Sequence, residues 1–167
     1  MRRLPLVLAC LLGPVLAAAN PPNEADFEAC SRGESQREVQ VEPVEFANLY
    51  QDDHSRSGYA VTYAIKSKKR IGFAVKGEQQ GIFYEGRVYP IDHAETIDIS
   101  PDEYREQLRH LGISFSQPAD WYLVSHAGSR RYLCIALGQL SKKSPAMVYF
   151  LPLDKQHAVY FWVEKSP

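Results

Sequence analysis

Two cysteines far apart in the chain, Cys30 and Cys134, constrain this fold more than any other feature. A third, Cys10, lies inside an N-terminal stretch that predicts its own removal. That stretch reads MRRLPLVLACLLGPVLAAAN: two arginines, an apolar run from Leu4 to Leu16, then Ala17, Ala18 and Ala19. A charged start, a short greasy run and small residues at its end are the order of a secretory signal peptide, so residues 1–19 are expected to be cleaved after Ala19. The run is shorter than the about 20 residues a membrane-spanning helix needs. Val7-Leu8-Ala9-Cys10 also looks like a lipoprotein site, but the apolar segment before that cysteine is too short. The alanine site fits better.

Export then decides the remaining pair. Two cysteines delivered to an oxidising compartment most simply form one disulfide. It would close a loop of about 104 residues and contribute roughly 4–5 kcal/mol in the chain-entropy account. Without a CxxC or clustered histidines, the same residues make poor zinc ligands. Cys134, in the apolar stretch RRYLCIALG, therefore reads as a buried half-cystine rather than a nucleophile.

The predicted architecture is α+β: one small domain over residues 37–167, mainly antiparallel sheet with two short helices, behind an extended arm at 20–36. A first helix is expected at about 43–54, where Val44, Ala47, Leu49 and Tyr50 recur loosely at helical intervals after Pro43. The second, over 101–111, has Ser100 as cap, Pro101 at the first position, Glu103 completing the box and Gly112 as the stop. Strands are expected in YAVTYAI, IGFAVKG, GIFY, RVYPI, DWYLVSH, RYLCIALG and the two arms of AMVYFLPLDKQHAVYFWVEK. GIFY and RVYPI flank the turn Glu85-Gly86. AVYFWV is almost uniformly apolar and is expected to lie centrally with both faces covered, and Pro152 suggests that its partner ends there or lies at an edge. A type II′ turn at Gly128-Ser129 would pair His126 with Arg131 and Leu123 with Cys134.

Few chemistries are written into the sequence. The five histidines are His54, His93, His110, His126 and His157. Asp52-Asp53-His54 and Asp92-His93 read as solvated loops, and Ser125-His126 as neighbours on opposite strand faces. There is no GxSxG, SxxK, HExxH or phosphate loop. Glu45, Asp52, Glu85 and Asp92 show no spacing that selects a catalytic pair. No cofactor and no metal site is expected. With 19 basic and 20 acidic residues, the chain lacks the overall charge of a nucleic-acid binder.

Surface features are better represented. Lys68, Lys69 and Arg70 cluster at an expected hairpin tip, Arg130 and Arg131 at another, and Tyr84 and Arg87 offer aromatic and guanidinium anchors. These seven residues are the candidate partner-binding set, a basic rim for an acidic protein. In size, leader, single disulfide and small antiparallel domain, the chain is similar to periplasmic lysozyme inhibitors and to immunity proteins of bacterial secretion-system toxins. That resemblance is architectural and assigns no residues. It implies a periplasmic or extracellular binding module whose partner is a secreted enzyme or toxin. The alternative is a small envelope hydrolase with a scattered His/carboxylate site.

Overall fold

A computed structural model describes residues 20–48, 63–64, 71–76, 79–111, 119–138, 145–154 and 158–164. In chain order the elements are α1 (Glu24–Arg32), β1 (Val39–Pro43), β2 (Phe46–Asn48), β3 (Tyr63–Ala64), β4 (Ile71–Lys76), β5 (Gln79–Tyr84), β6 (Arg87–Pro90), β7 (Glu95–Ile97), α2 (Pro101–Leu111), β8 (Ala119–His126), β9 (Ser129–Leu137), β10 (Met147–Pro152) and β11 (Tyr160–Val163). Six strands form the main sheet in the order β1-β8-β9-β10-β11-β7. Every pairing in it is antiparallel except β11 with β7. β4, β5 and β6 form a separate antiparallel sheet, and β2 pairs with β3. The α+β prediction is met.

Strand alternation divides the core into two layers. On one face of the main sheet, Leu133, Ile135, Tyr149, Leu151 and Phe161 pack against Ile71, Phe73 and Ile82 of the smaller sheet and Tyr104 of α2. On the other, Val124, Tyr132, Val148, Phe150 and Trp162 receive Phe27, Ala29 and Cys30 of α1. This explains the near-continuous apolar runs of β9, β10 and β11, since both faces of those strands are covered. Each large side chain so buried contributes about 1.5–3 kcal/mol.

α2 begins as predicted. Glu103 accepts from the Ser100 backbone N–H at 2.7 Å, and Ser100 Oγ accepts from the Glu103 N–H at 3.2 Å. Hydrogen bonding to the carboxylate from the Ser100 backbone N–H, and then from the Ser100 side chain, holds the Glu103 carboxyl below its usual range. β10 ends at Pro152, one of the two positions expected of that proline, and is not an edge strand, since it lies between β9 and β11. Glu85 and Gly86 make the β5–β6 turn with positive φ at both positions, 47° and 82°.

Three expectations are corrected. Residues 20–36 are not an extended arm but carry α1, capped by Asn23, whose side chain accepts from the Asp26 N–H at 3.1 Å. Asp26 accepts from the Asn23 N–H at 2.9 Å, and Gly33 closes the helix in the left-handed region. Pro21 and Pro22 suggest an extended chain, but the capping box begins one residue after them. The helix expected from residue 43 is also absent over 43–48, where β1 ends and β2 lies. Val39 and Val41 pair with His126 and Val124 across β8, and the Val44 N–H continues the contact to the Trp121 carbonyl at 2.8 Å. Cross-strand pairing outweighs a weak helical period. The rest of that expected helix lies outside the described residues.

The third correction is the β8–β9 turn, which sits at Ala127-Gly128 rather than Gly128-Ser129. Both residues have positive φ, 47° and 81°, a type I′ geometry that matches strand twist. His126 therefore faces Ser129. From that turn an unbroken ladder would put Trp121 opposite Cys134, and an irregularity between Val124 and Ser125 moves the register by one, so that Tyr122 pairs with Cys134 instead of the expected Leu123.

The buried tyrosines predict an alkaline limit to stability. Burial, then the nearby Asp26 charge, pushes Tyr132 up to about 12, and burial raises Tyr149 well above its ordinary value. Unfolded tyrosine ionises near 10, so this contribution is complete below about pH 10 and is lost as pH rises toward the folded value. Titration of phenolate absorbance should show some tyrosines ionising only with loss of near-ultraviolet ellipticity. Full ionisation around pH 10 with the fold intact would refute this.

Candidate functional site

Four contacts tie the nine-residue helix α1 and the residues just ahead of it to the main sheet. Cys30 and Cys134, both fully buried, are joined by the predicted disulfide with Cα atoms 6.4 Å apart. Phe27 stacks on Trp162 with ring centroids 5.0 Å apart. Ahead of the helix, the Tyr132 hydroxyl donates to the Asn20 carbonyl. Cys134 is thus a structural half-cystine, with no free thiol for chemistry.

The fourth contact joins two side chains that are 100 residues apart. Asp26, only 1% exposed, uses one carboxylate oxygen in the capping box and bonds His126 Nε2 with the other. With Asp26 ionised, its oxygens only accept, so Nε2 carries a proton. Asp26 fixes both the tautomer and the ring orientation of His126. The His126 side chain keeps 16% of its surface, at the edge of a groove of about 650 Å³ whose walls include Asn23, Glu24, Glu28, Gln36 and Glu38. An oriented imidazole beside a groove can hold or move a proton.

A second groove, of about 610 Å³, lies on the other side of α1. Phe27, Trp162 and half-buried Ile97 supply its apolar surface, and Glu24, Glu28, Asp98 and Glu164 its carboxylates. Among the described residues, Arg32 is its one basic residue. Glu24 and Glu28 line both grooves, so the outer side of α1 is a ridge between them.

The predicted partner-binding residues are placed elsewhere. Lys68, Lys69 and Arg70 lie outside the described residues, as do His54 and His157. Tyr84 is 7% exposed in the core between the two sheets, so its ring packs inward and cannot anchor a partner. Arg87, opposite Tyr84 across the β5–β6 turn, is exposed. Arg130 pairs with Ser125 in the β8–β9 ladder, and Arg131 is exposed beside it. His93 stands 3.6 Å from Asp92 with 88% of its side chain in solvent, the solvated loop expected. Among the described residues, no three His, Cys, Asp or Glu side chains are grouped to hold a metal ion.

Sequence reasoning missed Asp26 and the α1 carboxylates. The Asn23-x-x-Asp26 box and Gly33 could have revealed the helix. Nothing local could reveal a bond between residues 100 apart. Comparison with known proteins gives no match, whether to a family model, a curated protein or a solved structure.

Proposed function

We propose that the protein is an exported binding module, an inhibitor- or immunity-type protein that acts through its surface on a secreted toxin or cell-wall enzyme. One observation carries the reading. The buried Cys30–Cys134 disulfide locks α1 onto the main sheet, a bond that forms and persists in an oxidising compartment. It agrees with the leader-like residues 1–19, and among the described residues no helix is long and apolar enough to cross a membrane. A cross-linked sheet presents a rigid surface, and rigidity lowers the ordering cost of association.

The Asp26–His126 pair at the groove edge favours a second reading, a small envelope hydrolase that uses His126 as general base. Capture from the envelope fraction of the native host, followed by reconstitution with the purified partner, separates the two. The binding reading expects a stoichiometric complex that suppresses the partner's activity, and a folded His126→Asn variant that suppresses it within about twofold of the parent. A hydrolytic activity of the chain alone, abolished in folded His126→Asn, would replace binding with catalysis.

A further inference from the structure

β1 stands at one end of the six-strand order, and a strand at the end of a sheet offers its outward N–H and C=O groups to any extended chain. We propose that Ser35 and Gln36 are a strap that closes this edge, and that the Cys30–Cys134 bond holds the strap down and so keeps β1 from pairing with a second copy of the chain. The device is independent of any partner.

The phase of the strand identifies its outward groups. The Val44 N–H bonds the Trp121 carbonyl, so in the alternating antiparallel pattern Gln40, Glu42 and Val44 turn their backbone groups to β8. Val39, Val41 and Pro43 turn theirs away. Each N–H on that outward side is accounted for. The Val39 N–H donates to the Gln36 carbonyl at 2.7 Å, and the Val39 carbonyl accepts from the Gln36 N–H at 2.9 Å. The Val41 N–H donates to Ser35 Oγ at 2.9 Å. Pro43 has no N–H to give.

The strap is anchored at α1. The Gly33 N–H bonds the Cys30 carbonyl at 3.1 Å, and the Glu34 N–H bonds the Ala29 carbonyl at 3.0 Å. Ser35 and Gln36 follow at once. Gln36 and Val39 then close a two-residue turn with Arg37 at φ 44°, a left-handed setting that suits glycine better than arginine. It persists because the chain is held on both sides of it. The bonds from α1 to the strap begin at Ala29 and Cys30, and the disulfide fixes Cys30 to β9.

The edge beneath the strap fits a second copy. Two β1 strands related by a twofold axis at Val41 would exchange Val41 N–H···O bonds and set Gln40 opposite Glu42. No like charges would then face each other. The strap stands in the way of that pairing.

The test measures self-association of the oxidised mature chain by sedimentation equilibrium, with hydrogen exchange read at the Val41 amide. The parent is expected to stay monomeric. Ser35→Ala/Gln36→Pro removes the Ser35 acceptor and the Gln36 donor by changing an exposed and a half-buried residue. It should keep the parent's near-ultraviolet ellipticity and dimerise roughly tenfold or more tightly than the parent. Adding Val41→Pro, where the lost N–H makes no bond to β8, should return it to monomer. The Cys30→Ala/Cys134→Ala variant should dimerise through the same edge and be returned to monomer by the same proline. A parent that dimerises as tightly as the strap variant, a folded strap variant that stays monomeric, or dimers that survive Val41→Pro would overturn the proposal. A monomeric cysteine-free variant would overturn the part given to the disulfide. If the double strap variant loses its ellipticity, Ser35→Ala alone decides: faster exchange at Val41 supports the strap, and unchanged exchange refutes it.

Discussion

Replacing Cys30 and Cys134 together by alanine is expected to lower the unfolding free energy by about 4–5 kcal/mol, and the melting temperature by on the order of 10–20 °C. The bond spans 104 of the 167 residues, so its loss releases a long loop in the unfolded state. It also sits between α1 and the central strand β9, where each cysteine is fully buried. The double variant should retain the β4–β6 sheet and α2 while α1 becomes protease-sensitive. Urea unfolding of oxidised parent and double variant, with limited proteolysis alongside, measures both effects. A loss under about 1 kcal/mol, or cleavage spread evenly over the chain, would mean that packing alone seats the helix.

Asp26→Ala is expected to cost about 2–4 kcal/mol, an unusually large effect for one small polar side chain. The substitution removes the reciprocal half of the capping box and leaves the half-buried His126 ring without its acceptor. Asp26→Asn keeps an acceptor for the Asn23 N–H and should cost less. A double-mutant cycle with His126→Asn isolates the pair, and coupling of about 1 kcal/mol or more is expected. Additive single effects would show that Asp26 acts through the cap alone.

The legible parts of the fold were those whose signals are local. Ser100, Pro101 and Glu103 announce α2 within four residues, and Glu85-Gly86 announces a hairpin within two. The apolar runs of β10 and β11 show that both faces are covered. Two misreadings came from weighing one local signal against another. Pro21-Pro22 obscured the capping box that follows it, and a loose helical period around Val44 obscured strand pairing to β8. The β8–β9 register failed because a glycine suits either central position of a two-residue turn, and the irregularity at Val124–Ser125 has no sequence signature. The disulfide was legible by cysteine parity. The Asp26–His126 bond and the groove carboxylates were not, because they depend on where α1 packs, and that is set by contacts across a hundred residues.

The strand order has a consequence in time for a chain made from its N-terminus. α1 and β1 are among the first described segments to emerge, yet α1 awaits Cys134 and Trp162, and β1 awaits β8. β7 likewise stays unpaired within the main sheet until β11 arrives. β2 with β3, and then β4, β5 and β6, which are consecutive, can by contrast pair with strands made close to them in time. Closing long loops before any contact rewards them slows folding. β1 can therefore join the β8–β9 hairpin as soon as that is made, whereas β7 and the Phe27 side of α1 stay open until β11, the last strand, arrives.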